Sequence, residues 1–192
     1  MTAIVDYGVG NLFSLQSSLR ALGLETEVTG EAERLRAAER IILPGVGAFG
    51  DARAKLDATG LVPVLLEEAE RKPLLGICLG MQLLFDRSFE YGEHPGLGLI
   101  PGEVAFLGED LADGTLKVPH MGWNSLEIGK DDPLFKYFKN GDMFTMSTAS
   151  TPGTAGTAHW ERPGMGPSPS PARCAGGTSG APSSTRRSPG TR

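Results

Sequence analysis

The amino-acid sequence predicts an α/β domain: a mostly parallel sheet with helices on both faces. Three observations carry that reading. Short apolar runs alternate with segments whose apolar residues recur at helical spacing. Glycine turns follow three of those runs, at Gly8–Gly10, Gly45–Gly47 and Gly76–Gly80. The chain of 192 residues, 40% hydrophobic and 21% charged, is long and apolar enough for one domain with a buried core.

Taken in order, Met1–Asp6 reads as a short buried strand and the following "DYGVGN" as a glycine turn. Leu12, Leu15, Leu19 and Leu22 share one helical face, and Gly23 stands where a C′ glycine belongs. Leu24–Val28 alternates like a strand, Glu31–Ala38 reads as a polar-faced helix, and Arg40–Gly47 is a strand running into a Pro-Gly turn. Asp51–Arg71 holds one or two helices, interrupted near Gly60 and Pro63. Pro73–Cys78 is a strand and Met81–Phe89 a helix. After Gly92 the pattern changes to shorter strands and loops, over Gly96–Leu107 and Leu116–Ile128. In a sheet of this kind ligands sit beyond the carboxyl ends of the strands. The three glycine turns are therefore expected along one edge of the molecule.

No apolar run approaches the roughly 18 residues of a membrane span, and Met1–Asp6 leads into Gly8 with no secretory pattern. The two cysteines, Cys78 and Cys174, make no disulfide framework, so a reduced cytoplasm is expected. A net charge of −5 without a basic stripe argues against a nucleic-acid binder. Nothing points to a metal or an organic cofactor.

The averages conceal a break. Phe144–Arg192 contains no Leu, Ile, Val or Lys, and Gly, Pro, Ser and Thr supply 31 of its 49 residues. Its five Arg face a single acid, Glu161. A core cannot be built without branched aliphatics. Two regions are expected: a folded domain at 1–143, and a tail at 144–192 with poor order, the C-terminal strands of the sheet being lost.

Gly76-Ile77-Cys78-Leu79-Gly80 is the segment that carries chemistry. A lone Cys after an apolar run is commonly core packing. Here a strand precedes it, a helix follows, and small residues flank it on both sides, as a strained strand-to-helix elbow requires. Free N–H groups at a helix N-terminus favour thiolate over thiol. The N–H of Leu79 is placed to donate to an oxyanion. A second donor is expected from "PGVG" (Pro44–Gly47), where glycine lets a peptide turn toward the substrate. Gln82 reads either as a substrate contact or as an exposed helix residue.

"DYGVGNLFSL", "ILPGVGAFGDA", "GICLGMQLLF", "GLGLIPG" and "VPHMGWN" together resemble the class I glutamine amidotransferase family, over Met1 to about Phe144. The resemblance implies that Cys78 attacks the side-chain amide of glutamine. Leu79 and the Val46–Gly47 peptide would hold the oxyanion, and Gly45 and Gln82 would contact the substrate. It further implies that ammonia passes to a partner (β/α)₈-barrel synthase subunit. That subunit would make imidazole glycerol phosphate and an aminoimidazole carboxamide ribotide, a step of histidine biosynthesis. Asn11, His120, Met121 and Trp123 would lie at the partner interface; without the resemblance, ordinary core packing is the competing reading of Trp123.

A nucleophilic cysteine needs a histidine and an acid to orient it. The family supplies both from a late "FHPEKS", absent here. Of the three histidines, His94 sits in a loop expected to be solvated, and His120 belongs to the interface motif. His159 has Glu161 two residues on, but its flanks do not match and no apolar strand leads into it. The triad as written is incomplete.

A shifted reading frame accounts for this. Ser183–Gly190, "SSTRRSPG", can be encoded AGT TCC ACC CGG AGA AGT CCG GGG. Read from the third base, this gives Phe-His-Pro-Glu-Lys-Ser-Gly. At the same offset, codons for "FTMSTA" (Phe144–Ala149) give Tyr-Tyr-Val-His-Ser, close to the family's strand there. The catalytic His and Glu would then be encoded near positions 184–187. Two other readings stand beside the amidotransferase: a non-catalytic scaffold that binds the barrel subunit, and another cysteine hydrolase built on the G-x-C-x-G elbow. Sequencing the gene across codons 140–192 is expected to show a missing or extra base near codon 144. A gene that encodes the tail as written would overturn the frame-shift reading.

Overall fold

The computed structural model describes residues 1–106, 118–129, 133–148, 150–153 and 173–175. β1 (Thr2–Val5) is buried along its whole length. A strand covered on both faces needs a plain apolar run rather than alternation, which is how this segment reads. α1 (Leu12–Ala21) begins at Asn11, whose side-chain oxygen accepts from the Ser14 N–H at 3.2 Å. It ends on the expected glycine. Gly23, at φ +77°, donates to the Arg20 carbonyl (2.9 Å), and Leu24 donates to the Leu19 carbonyl (3.1 Å). Leu12, Leu15 and Leu19 are half-buried, with α1 lying along β2 (Thr26–Thr29). Leu22 departs from the expected stripe: it is the C-cap, outside the helix, and is exposed.

α2 (Ala32–Ala37), β3 (Arg40–Leu43), α3 (Phe49–Ala58), α4 (Val62–Ala69) and β4 (Leu74–Ile77) follow as the alternation predicts. The break between α3 and α4 falls at Gly60, with φ +70°. Pro63 lies in the first turn of α4, where a missing N–H leaves no hydrogen bond unmade.

The expectation of a helix over Met81–Phe89 is corrected. α5 (Leu79–Gln82) is a single turn, and β5 (Phe85–Ser88) follows at once. Leu83 and Leu84 are fully buried. The Leu84 carbonyl accepts from the N–H groups of Leu99 and Ile100 (both 2.9 Å), and the Leu83 carbonyl from Leu97 (2.7 Å). Tertiary pairing thus takes the backbone that a longer helix would have used. β6 (His94–Pro95), β7 (Ile100–Phe106), β8 (His120–Ser125), β9 (Met143–Thr148), β10 (Ser150–Gly153) and β11 (Arg173–Ala175) complete the described elements.

The main sheet has the order β11-β4-β3-β1-β2, and every pairing in it is parallel. The carboxyl ends of β1, β3 and β4 therefore lie side by side and carry the three glycine turns together, as expected. A second sheet runs β10-β7-β5-β6, parallel between β5 and β7 and antiparallel elsewhere. β8 and β9 form a separate antiparallel pair.

The tail differs from expectation in one respect. Residues 144–148 extend β9, 150–153 pair with β7, and 173–175 add a strand beside β4. Edge pairing is made by the main chain, so the strand edge accepts a segment as short as Arg-Cys-Ala. His159, Glu161 and the Ser183–Gly190 segment lie outside the described residues. Among those residues no helix is long and apolar enough to cross a membrane.

Ala3, Val5, Leu43 and Leu74 of the sheet pack with Leu35, Phe49, Leu56 and Leu65 of the helices, all at 0–1% exposure. Beside this core lies one buried charge. Glu68 of α4 is 3% exposed and meets Lys72 Nζ at 2.5 Å. The same ammonium donates to the carbonyls of Leu35 (3.2 Å), Arg36 (2.8 Å) and Ala38 (2.7 Å), capping the C-terminus of α2. One Lys therefore neutralises a buried acid and closes a neighbouring helix. Lys72→Met is expected to lower unfolding free energy by about 3 kcal/mol, because it leaves the buried Glu68 charge only the more distant Arg71 guanidinium, at 3.8 Å. The double variant Glu68→Leu/Lys72→Met should recover much of that loss in urea denaturation.

Candidate active site

Cys78 joins β4 to α5 and is solvent-exposed with a free thiol. Its backbone stands at φ 54°, ψ −120°, a conformation that costs a non-glycine residue about 1–3 kcal/mol and persists only where surrounding structure enforces it. The enforcement is visible on both sides. A Cβ added at Gly76 would collide with Met81 Cα and lie 2.8 Å from the Gly80 carbonyl oxygen. One added at Gly80 would run into the Leu43 carbonyl and lie 2.8 Å from Pro44 C. Glycine at both positions lets strand and helix meet backbone to backbone, so the turn is sharp and lifts Cys78 out of the sheet. With α5 reduced to one turn, the helix dipole adds little. What remains is the local geometry: the Cys78 carbonyl accepts from Met81 (3.0 Å) and Gln82 (3.2 Å), and Leu79 supplies the first amide of the turn.

The loop after β3 packs directly on this elbow. A Cβ at Gly45 would collide with Gly80 N and lie 2.9 Å from both Leu79 C and Leu79 Cβ. Gly45 is thus buried against the Leu79–Gly80 peptide, the one that follows the Leu79 side chain. Val46 is 54% exposed, and Gly47 has φ +93°, where an added Cβ would meet nothing within 4 Å. Upstream, the Tyr7 hydroxyl donates to the Pro44 carbonyl at 2.7 Å, and burial pushes the phenol well above its ordinary range, so it stays a donor. A Cβ at Gly10 would come within 3.0 Å of Pro44 Cβ. The Val46–Ala48 segment also walls a cleft of about 330 Å³, with Gly8–Gly10 opposite and Asp51 and Lys55 of α3 at its side.

Gln82 is half-buried on α5, one turn beyond Cys78. Asn11 caps α1, as described above, which is a structural use of the side chain. His120, Met121 and Trp123 lie on β8, away from the elbow in the element order. Met121 and Trp123 share a face of that strand and are 72% and 69% exposed, so in this chain Trp123 is not core. Met143, paired across from Ser125 on β9, extends the exposed apolar face.

Among the described residues no base joins Cys78, and no group of three or more His, Cys, Asp or Glu converges. His94, expected in a solvated loop, is half-buried instead. Its ring lies 6.5 Å from that of Phe49 and fills the space above Gly50. Glu90 beside it accepts from the Phe49 N–H at 2.7 Å, so this pair serves the start of α3. Tyr7 and Gly10 were not legible as site residues. The "DYGVGN" motif flagged the turn, but a hydrogen bond spanning 37 residues has no local signal.

The packing of Gly80 makes a direct expectation. Gly80→Ala should lower unfolding free energy by more than about 3 kcal/mol, since backbone must move. Gly8→Ala, where no atom lies within 4 Å, should cost only the left-handed backbone penalty of about 1 kcal/mol. Urea denaturation of the two variants checks the difference.

Comparison with known proteins agrees with this geometry. The family glutamine amidotransferase class-I matches residues 3–148. The imidazole glycerol phosphate synthase subunit HisH of Sulfurimonas denitrificans is 50% identical over 137 residues, covering 71% of this chain and 66% of that one. The protein of the same name from Wolinella succinogenes is 46% identical over 142 residues (73% and 69%), and that from Aquifex aeolicus 45% over 144 (74% and 67%). The chain thus spans about two thirds of the length of these relatives. A crystal structure of a glutamine amidotransferase superposes with a TM-score of 0.60 over 80% of this chain and 75% of its own, at 18% identity, a likeness of fold. On the match to residues 3–148 and these relatives, the chain belongs to the class-I glutamine amidotransferase family.

Proposed function

We propose that the protein is the glutaminase subunit of an imidazole glycerol phosphate synthase, working in the cytoplasm in histidine biosynthesis. The observation that carries the chemistry is the burial of Gly45 against Leu79 and Gly80. It seats the loop that can supply one oxyanion donor on the Leu79–Gly80 peptide, next along the chain from the Leu79 N–H that can supply the other. In the reaction, Cys78 Sγ attacks the side-chain amide carbon of glutamine. The carbon–sulfur bond forms, and the π electron pair moves onto oxygen, where the Leu79 N–H and the Val46–Gly47 peptide receive it. The carbon–nitrogen bond then breaks as the nitrogen takes a proton, leaving a thioester that water releases as glutamate.

Ammonia is delivered to a (β/α)₈-barrel synthase subunit. The exposed apolar face of Met121 and Trp123 supports docking there, because large side chains this exposed favour burial against a partner. Asn11, at the head of α1, and His120, on the same strand as Met121, belong to the same proposed interface.

The leaving nitrogen needs a proton donor, and the histidine and glutamate that would provide and orient it are encoded out of frame near 184–187. The end of the family match at residue 148 supports a change of sequence in this part of the chain. The chain as written is therefore an amidotransferase with a nucleophile and an oxyanion site but no base. That separates it from a plain scaffold, which has no use for a primed thiol, and from an esterase-like hydrolase, which would act without a partner.

The test has two parts. A glutamine-like chloroketone is expected to alkylate Cys78, with protection by glutamine. Glutamine turnover with the barrel subunit present is expected to stay undetectable, unless the tail is replaced by the frame-restored one. Unlabelled Cys78 would favour the scaffold, and robust turnover by the chain as written would refute the missing base.

A further inference from the structure

We infer that Tyr7 is a positioning residue for the oxyanion loop, an inference that rests on the reading of Cys78 as the glutamine nucleophile. Tyr7 is 4% exposed, and its only route to function is through the atom it holds. That atom is the carbonyl oxygen of Pro44, at 2.7 Å, one residue before Gly45.

Pro44–Gly45 is gripped from two sides. On one side are Tyr7 and the close approach of Gly10 to Pro44 Cβ and Cγ (3.0 and 3.2 Å from a Cβ placed there). On the other are Leu79 and Gly80, against Gly45. The grip ends at Gly45. Val46 is exposed, and Gly47, at φ +93°, has open space around it. The first peptide that can rotate without moving the elbow is therefore Val46–Gly47, the one that carries the second oxyanion donor. A hinge works only if its fixed leaf stays fixed. The Tyr7 hydroxyl fixes it, and it reaches Pro44 from the turn after β1, the same turn that ends at Asn11. Loss of that bond frees the Pro44 carbonyl and lets the whole loop, rather than one peptide, shift relative to Cys78.

The chloroketone separates this role from simple stability. Its alkylation forms the Sγ–carbon bond and breaks the carbon–chlorine bond, chloride leaving with the bonding pair. The step is accelerated where the adjacent carbonyl oxygen is held by the oxyanion donors. Iodoacetamide alkylates the same sulfur by direct displacement of iodide and makes no such demand. For the full chain carrying Tyr7→Phe, the maximal rate of chloroketone inactivation is expected to fall about tenfold or more. The chloroketone concentration for half-maximal rate, protection by glutamine, and the iodoacetamide rate are all expected to be unchanged.

An unchanged chloroketone rate overturns the inference, as does an equal slowing with both reagents, which would mark a merely structural tyrosine. If Tyr7→Phe does not fold by circular dichroism, Gly10→Ala, which presses on Pro44 from the same side, is read in its place with the same expected pattern. A separate failure is distinguishable. If the wild-type chain reacts no faster with the glutamine-like chloroketone than with chloroacetone, and glutamine does not protect, the glutamine site itself is absent and this inference falls with it.

Discussion

The contact between the end of β3 and the elbow after β4 is backbone on backbone. Gly45, Gly76 and Gly80 each stand where a single methyl group would collide with main-chain atoms. Everything that makes Cys78 more than a buried thiol follows from this closeness. The positive φ of Cys78 is tolerated because the chain cannot relax without driving Gly80 into Leu43. The Leu79–Gly80 peptide packs on the same loop because nothing larger than hydrogen separates Gly45 from it. A sheet supplies adjacent strand ends, and glycine lets those ends meet.

From that contact the site extends outward through parallel topology. β1, β3 and β4 are neighbours in register, with Ile4 beside Ile42 and Leu43 beside Gly76. The turns that follow them consequently meet in pairs: the Tyr7–Pro44 hydrogen bond and the Gly10–Pro44 approach join the first two, and Gly45 against Gly80 joins the second to the third. The arrangement ties the turn bearing Asn11 to the Pro44–Gly47 loop. The core beneath it is a rigid support: Phe49 and Leu56 of α3 and Leu65 of α4 are fully buried, and the Glu68–Lys72 pair closes α2 alongside them.

The incomplete side of the molecule is the edge beyond β4. There β11 contributes three residues, Arg173–Ala175, of a tail that has no branched aliphatic side chains. Such a strand satisfies the backbone hydrogen bonds of the β4 edge. The Cys78 elbow and the Gly45–Gly47 loop are built from local turns that precede the tail.

How much of this could be read from residues alone divides along the same line. Alternating apolar runs, the C′ glycine at Gly23, and the glycine turns at Gly8, Gly45 and Gly76 are local signals, and each named its element because propensity and periodicity act within a few residues. The turn at Cys78 and the loop at Gly45–Gly47 were legible for the same reason: an elbow and a glycine loop are short motifs. The helix expected over Met81–Phe89 was not recoverable locally, since its backbone is taken by Leu97, Leu99 and Ile100. The exposure of Trp123 fits the interface position that the resemblance implies, but periodicity alone left core packing open. The role of Tyr7 was not recoverable locally either, since its partner lies 37 residues away. Local sequence set the parts and the chemistry each could carry. Which parts touch, and so which peptide can turn toward Cys78, was decided by long-range packing, because a contact is a property of two distant segments and is written in neither one.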